Sequence, residues 1–174
     1  MKLLISIIIF CIAVIESRGT ARTIRYPYHN ATALIEIQPQ FAKFWSRVER
    51  GEWEASTLSI FSQVITKDTL VIDFGAWIGP TILFAGHFAN KVIGLEPNPE
   101  AFKIVKKNVD INNARLKNVE VYNKCISVHN EQVRMRHGPE SAADSMGSIV
   151  SLDDAEKETT MKKNGLLGIH SSKP

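Results

Sequence analysis

Two carboxylates and two glycines mark the part of the sequence whose residue types and spacing could do chemistry. Asp73 and Gly75 lie at the end of the apolar run "TLVIDFG", and Gly79 follows. Glu96 ends the next apolar run, "KVIGLE". A charge at the end of an apolar strand is costly without a partner, and glycine weakens a packed element. The pattern therefore indicates that this turn serves a ligand.

The chemistry that suits this pattern is the binding of a nucleotide-type cofactor. A glycine turn lets a ligand approach the backbone, and a carboxylate after the next strand accepts hydrogen bonds from ribose hydroxyls. The G-x-x-x-G spacing lacks the middle glycine of the dinucleotide-binding G-x-G-x-x-G. A cofactor without a pyrophosphate relaxes the need for that glycine. We therefore expect S-adenosylmethionine, an adenosine that carries a sulfonium and an amino-acid end.

The elements that must position these residues predict an α/β fold. Residues 69–75, 91–96 and 118–127 are predicted as strands, and the first is apolar enough to be covered on both faces. Helices are predicted over residues 80–89 and after Asn98, which suits a helix cap. This order predicts a Rossmann-like, doubly wound parallel sheet, in which ligands bind beyond the carboxyl ends of the strands.

The chain begins with a predicted targeting signal. Lys2 precedes the apolar run "LLISIIIFCIAVI", which is shorter than the roughly 20 residues of a membrane span. We predict that residues 1–21 are a signal peptide, with small residues such as Gly19 and Ala21 available for cleavage. An uncleaved signal anchor is the alternative, and only then would the protein be attached to a membrane.

A sequon agrees with the secretory pathway as the location, in the endoplasmic reticulum or Golgi lumen or outside the cell. Asn30 opens the N-glycosylation sequon Asn-Ala-Thr. Cleavage of the signal removes Cys11 and leaves Cys125 as the only thiol, so we expect no internal disulfide.

Residues 22–68 are predicted as a helical lead-in to the α/β unit. Residues 22–38 look irregular, and Pro39 opens a helix that ends at Gly51. Apolar residues at helical spacing predict the buried sides of this helix and of a second one: Phe41, Phe44, Trp45, Val48, Leu58, Phe61, Val64 and Ile65.

Composition and charge narrow the class of partner. The sequence is 44% hydrophobic and 22% charged, which is typical of a globular protein. Its net charge of +3 comes without a run of Lys and Arg, so no nucleic-acid partner is predicted. No cluster of His, Cys and acidic residues has the spacing of metal ligands, so no metal is predicted. The predicted partner is a small-molecule cofactor.

Several of these segments resemble the FkbM-type methyltransferases. The resemblance lies in "VIDFGAWIGPTILFA", "KVIGLEPNPEAFKIVKKNVDIN" and "NVEVYNKCIS", with "GEWEASTLSIF" upstream and "DSMGSI" downstream. It implies a class I enzyme that uses S-adenosylmethionine, and several members of the family methylate sugar hydroxyls. It therefore predicts O-methylation of a sugar or glycan hydroxyl in the secretory pathway.

The resemblance also implies cofactor-binding residues, in three groups. The first loop would be formed by Asp73, Gly75, Ala76 and Gly79. Glu96 would hold the ribose, with Pro97 and Asn98 beside it, and Ile126 and Ser127 would lie near the adenine. Trp77 departs from the asparagine that is more common at its position, and it either closes over the cofactor or packs. No catalytic residue is predicted.

One departure from the family concerns the end of the chain. Members continue with a strand that ends in an acidic motif, and nothing similar follows Leu152. Residues 69–152 are therefore interpreted as a partial domain with its C-terminal strands missing, and residues 153–174 as a polar, disordered tail.

Two other functions compete with an active methyltransferase. The first is a truncated, inactive relative that acts as a cofactor-binding or interaction module. The second is a nicotinamide-dependent oxidoreductase, against which the missing glycine and the lack of a Tyr-x-x-x-Lys pair argue. His87 and His137 are lone acid–base candidates, and such histidines are mostly structural or exposed.

Overall fold

The computed structural model describes residues 21–126, 134–136 and 148–150, and it places a β-hairpin before an α/β unit. The elements, in chain order, are β1 (Ala21–Arg25), β2 (Thr32–Glu36), a 3-10 helix (Pro39–Phe41), α1 (Ala42–Glu49), α2 (Ala55–Val64), β3 (Leu70–Phe74), α3 (Pro80–Ala85), β4 (Lys91–Leu95), α4 (Pro99–Asn112), β5 (Val119–Tyr122), β6 (Arg134–Arg136) and β7 (Ser148–Val150).

The three strands of the α/β unit form a parallel sheet in the order β3-β4-β5. Helices α3 and α4 connect them, so the predicted α/β class with a Rossmann-like parallel sheet is confirmed. The predicted cap is also present, because Oδ1 of Asn98 accepts from the backbone N–H groups of Glu100 and Ala101 at 2.9 and 3.3 Å. The start of α4 is therefore fixed directly after β4.

One face of the sheet is buried against α3. The buried positions are Val92, Gly94, Val119 and Val121. A Cβ on Gly94 would lie only 3.1 Å from Cδ1 of Ile82, so this glycine lets the helix approach the strand closely.

The opposite face of β3 differs from the expectation that this strand is covered on both faces. Leu70, Ile72 and Phe74 share that face and are 55%, 49% and 65% exposed. Their register partners include the half-buried Ile93 and Leu95, which extend the apolar surface onto β4. Within the described residues this face of β3 lies open to solvent.

The hairpin corrects the prediction that residues 22–38, the first part of the helical lead-in, are irregular. β1 and β2 pair antiparallel from Ala21 opposite Glu36 to Arg25 opposite Thr32. The strands are short and polar on one side, and a proline follows β1, so local pattern gave no strand signal. Burial of the other side in the core, at Ile24, Tyr26, Ala33 and Ile35, stabilises them instead.

The helical part of the lead-in largely follows the prediction. Pro39 opens the 3-10 helix that leads into α1, and Gly51 follows α1 with φ +68°. The buried residues include Trp45, Val48 and Leu58. Val64 differs, because it is exposed rather than buried.

The outer edge of β2 makes its hydrogen bonds with side chains instead of with another strand. Oδ1 of Asn112 accepts from Leu34 N at 2.9 Å, and its Nδ2 donates to Leu34 O at 2.6 Å. Oδ1 of Asn108 accepts from Glu36 N at 3.1 Å. Nε2 of His87 donates to Thr32 O at 3.0 Å. Three side chains thus satisfy groups that a third strand would otherwise bind.

Several predictions lie outside the described residues. These are the signal peptide or anchor up to residue 20, Ser127, His137 and the tail over residues 153–174. β6 and β7 pair antiparallel with each other. In the part of the chain that the structure describes, no helix has the length and apolar character needed to cross a membrane.

Candidate functional site

The turn after β3 is anchored to the end of β4 by backbone hydrogen bonds. Gly75 N and Ala76 N both donate to Leu95 O, at 2.8 and 3.0 Å. Gly79 N donates to Ala76 O at 2.8 Å, which closes the turn on itself. The turn therefore lies at the carboxyl ends of two adjacent parallel strands, where ligands bind in open α/β sheets.

Glu96 joins this turn to the segment that leads into α4. Its Oε2 accepts from Trp77 N and its Oε1 accepts from Asn98 N, both at 2.7 Å. The residue is 5% exposed. Burial raises the pKa of the Glu96 carboxyl, and the N–H groups of Asn98 and Trp77 oppose that rise. Each oxygen binds one N–H group and keeps a lone pair that can accept from a ligand.

Asp73 carries a buried oxygen that has no partner among the described residues. Within the described part of the chain, its Oδ2 is inaccessible to solvent and has no hydrogen-bond donor. Burial raises the pKa of the Asp73 carboxyl, and the charge of Glu96 raises it further. Buried polar atoms in native proteins are nearly always satisfied, so an orphan acceptor at this edge of the sheet indicates a missing donor.

The two glycines of the turn have different roles. Both have left-handed φ angles, +90° at Gly75 and +99° at Gly79. A Cβ on Gly79 would lie 2.9 Å from Cγ2 of Val105, so this glycine lets α4 pack against the turn. Among the described residues, a Cβ on Gly75 would have no atom within 4 Å. Gly75 therefore presents open backbone, as a cofactor-binding turn requires.

Trp77 packs against the lead-in, which is one of its two predicted roles. Its ring lies edge-on to Phe44 and Phe41, with centroids 4.5 and 5.5 Å away. Its φ of 48° is left-handed, which is uncommon for a residue with a bulky side chain. The aromatic contacts and the bond from Trp77 N to Glu96 hold this conformation in place.

The structure brings most of the predicted residues together, and of the two residues predicted near the adenine it describes Ile126 and not Ser127. Asp73, Gly75, Ala76, Gly79, Glu96, Pro97 and Asn98 all lie in or next to the two anchored segments. Ile126 is 65% exposed. The assignment of Ile126 and Ser127 to the adenine therefore stays a prediction.

Two asparagines support the site and escaped the sequence analysis. Nδ2 of Asn123 donates to Glu96 O and Pro97 O, at 2.8 and 3.1 Å. Nδ2 of Asn108 donates to Ile78 O in the turn, at 3.0 Å. The sequence signal for Asn123 was a polar residue directly after a strand. The signal for Asn108 was a polar residue on the apolar side of a helix.

The other candidate chemistry does not assemble in the described residues. Nε2 of His87 binds Thr32 O, and burial lowers the pKa of this imidazole, so His87 acts as a structural tether. No group of three or more His, Cys, Asp or Glu residues in the described ranges could hold a metal ion.

The chain is similar to solved structures but matches no family model. No protein-family model matches the sequence, and no curated protein matches it. The chain is similar to the Streptococcus mutans protein SMU.1697c in complex with SAH, with 21% identity, 63% of this chain, 62% of that chain and a TM-score of 0.41. An rRNA methylase from Streptococcus thermophilus is 14% identical to this chain. The match covers 41% of this chain and 38% of that chain, with a TM-score of 0.37. The M. jannaschii tRNA m1G37 methyltransferase is 15% identical. That match covers 68% of this chain and 34% of the other, with a TM-score of 0.38.

This chain therefore spans 62% or less of the length of each of these three structures. At such low TM-scores the similarity supports no argument about function, and the fold class rests on the sheet and helices described above. Membership of the FkbM-type family stays a prediction from the sequence motifs.

The buried carboxylate pair leads to a prediction about stability. Asp73→Asn should stabilise the ligand-free protein at neutral pH, because ionised Asp73 is disfavoured by burial and by Glu96. Since the folded pKa of Asp73 is raised, its ionised form lowers stability above that pKa. The penalty disappears as the pH falls through the folded pKa toward the ordinary value of 3.8. Urea unfolding at neutral pH and near pH 4 should show a gain that shrinks in acid.

Asp110→Asn is the matched control, because Asp110 is exposed and, among the described residues, its side chain forms only a surface ion pair with Lys106. This variant should show no gain. A loss of stability in Asp73→Asn at neutral pH would mean that the Asp73 carboxylate is satisfied in the free protein.

Proposed function

We propose that this protein is a methyltransferase that binds S-adenosylmethionine between the Gly75–Gly79 turn and Glu96. The observation that carries the proposal is the orphan Oδ2 of Asp73, buried at the end of β3 next to the open backbone of Gly75. An acceptor in this position needs a donor from outside the described chain, and a bound cofactor supplies one.

The residues present suit this cofactor. The lone pairs left on Glu96 can accept from ribose hydroxyls, which are donors of the right kind. Because Oδ2 of Asp73 is inaccessible to solvent, it can accept from a further N–H or O–H group of the ligand only when the Asp73 side chain reorients on binding. Asp73 and Glu96 repel each other when both are ionised, and a cofactor with a net positive charge relieves that repulsion.

The described residues form the donor side of the reaction. When bound, S-adenosylmethionine supplies a methyl group that its sulfonium makes electrophilic. Transfer requires the acceptor oxygen in line with the methyl group, at near-attack distance. The turn and Glu96 orient the cofactor, and no described residue is assigned as the base for the acceptor proton.

Glu96→Gln tests the cofactor assignment. The substitution should weaken S-adenosylmethionine binding by at least about tenfold, because hydrogen bonds to a charged group contribute about 1.5–3 kcal/mol each. Isothermal titration calorimetry measures the affinity. Asn123→Ala is the control for loosening of the same segment, because it removes the bonds to Glu96 O and Pro97 O and leaves the carboxylate intact.

A ligand series separates ribose binding from the structural role of Glu96. Adenosine should bind the wild-type protein more tightly than 2′,3′-dideoxyadenosine does, and this difference should nearly vanish in Glu96→Gln. If both proteins discriminate equally between the two nucleosides, Glu96 does not hold the ribose.

We further propose that the methyl acceptor is a sugar or glycan hydroxyl. Its support is the resemblance of the sequence motifs to FkbM-type enzymes. A radiolabelled methyl-transfer assay with a panel of glycans and a panel of RNAs should label glycans alone. Labelling of RNA, abolished by Glu96→Gln, would contradict the glycan acceptor while leaving the cofactor assignment in place.

A location in the secretory pathway is also proposed, from the N-terminal apolar run and the sequon. Asn30 is exposed in the turn between β1 and β2, with a φ of 54°, so an oligosaccharide there would meet no packed surface. In a secretory cell line the wild-type protein should lose apparent mass on glycosidase treatment. Asn30→Gln should abolish the shift, and Asn90→Gln, an exposed asparagine outside any sequon, should retain it. An unshifted wild-type protein would argue against the location.

A further inference from the structure

Two asparagines on α4 are buried one helical turn apart, and they contact different parts of the molecule. Asn108 is 0% and Asn112 is 1% exposed. Asn112 binds both backbone groups of Leu34, and its Nδ2 also donates to Asn108 O at 2.7 Å. These three bonds stay within α4 and β2.

Asn108 reaches further than Asn112. Its Oδ1 accepts from Glu36 N in β2, and its Nδ2 donates to Ile78 O at 3.0 Å. One side chain thus bonds the hairpin and the glycine turn simultaneously. Asparagine suits this position because a single short planar group carries both an acceptor and a donor.

Ile78 lies in the most constrained part of the turn. Trp77 precedes it with φ 48° and Gly79 follows it with φ +99°. Residues in sparsely populated conformations persist only where their surroundings fix them. A bond to the Ile78 carbonyl therefore restrains the Ile78–Gly79 peptide, one residue beyond Trp77, whose own N–H group binds Glu96.

The hairpin has a second link to the same segment. The hydroxyl of the fully buried Tyr26 donates to Pro80 O at 2.8 Å, and burial raises the pKa of that phenol. The hairpin is thereby joined to both Ile78 and Pro80, at the point where the turn becomes α3. Through Asn108 a chain of hydrogen bonds, continued by the backbone of Ile78 and Trp77, runs from Glu36 to the carboxylate of Glu96.

We infer that Asn108 is a positioning residue of the candidate site, and that the β-hairpin acts through it to keep the Gly75–Gly79 turn in its ligand-binding shape. The inference rests on the proposed function, because the ligand considered is S-adenosylmethionine. It assigns a role in cofactor binding to a segment, residues 21–36, that carries none of the predicted cofactor-binding residues.

Asn112 supplies the matched control for this inference. Both side chains are buried on the same helix, and Asn112 makes more hydrogen bonds than Asn108. A purely structural effect would therefore harm Asn112→Ala at least as much as Asn108→Ala. Only Asn108→Ala removes the bond to Ile78.

The first measurement is cofactor affinity at a temperature where both variants are folded, with thermal unfolding recorded in parallel. Asn108→Ala should bind S-adenosylmethionine about tenfold more weakly than the wild-type protein, and Asn112→Ala should bind within about twofold of it. If affinity simply follows stability in the two variants, the inference is wrong. Should Asn108→Ala fail to fold, Asn108→Asp keeps the shape and the acceptor for Glu36 N and removes the donor to Ile78.

The second measurement needs no ligand. Hydrogen exchange at the Trp77 amide should accelerate by about tenfold in Asn108→Ala and stay near the wild-type rate in Asn112→Ala, because only the first change frees the turn. An unchanged Trp77 rate in Asn108→Ala would overturn the inference. A wild-type protein that does not bind S-adenosylmethionine, but shows this selective acceleration, would refute the proposed function and leave the positioning role of Asn108 standing.

Discussion

The site depends on one buried carboxylate that binds two backbone amides. Glu96 accepts from Trp77 N and Asn98 N, and these bonds fix the turn after β3 and the start of α4 relative to each other. The ends of two adjacent strands are held at the same time, since Gly75 N and Ala76 N bind Leu95 O. Among the described residues no cation takes part in these contacts, so there the carboxylate is stabilised by N–H dipoles and stays responsive to any ligand that brings donors.

This arrangement explains why a residue expected to bind a ligand is also structural. Each carboxylate oxygen of Glu96 uses one lone pair to accept from a backbone N–H group, which joins the turn to the start of α4. The second lone pair of each oxygen stays available to a ligand donor. Asp73 does not combine the two roles, because its Oδ2 has no partner in the described chain. Burial and the charge of Glu96 also oppose ionisation of the Asp73 carboxyl. The site therefore combines a carboxylate whose two oxygens are both bonded with one that has an oxygen without a partner in the described chain, and the second should lower the stability of the free protein.

The α/β unit and the core of the site could be predicted because their signals are local. A few neighbouring residues are enough to recognise each of these features: the short apolar runs, the glycines after β3 and the cap at Asn98. The hairpin and the supporting role of Asn108 could not be predicted, because they depend on contacts between segments far apart in sequence. The exposed face of Leu70 and Phe74 also differs from expectation. An apolar sequence predicts that a strand is buried, but it does not identify the element that covers the strand.

The side chains along β2 have a consequence for how this protein meets other chains. An unpaired strand edge is a template for intermolecular β-pairing, and proteins protect such edges by covering them. His87, Asn108 and Asn112 already occupy outward-facing backbone groups of Thr32, Leu34 and Glu36. A foreign strand would have to break these bonds before it could add to the hairpin. The same amides that join the helix to the hairpin therefore protect this edge against self-association into fibrils.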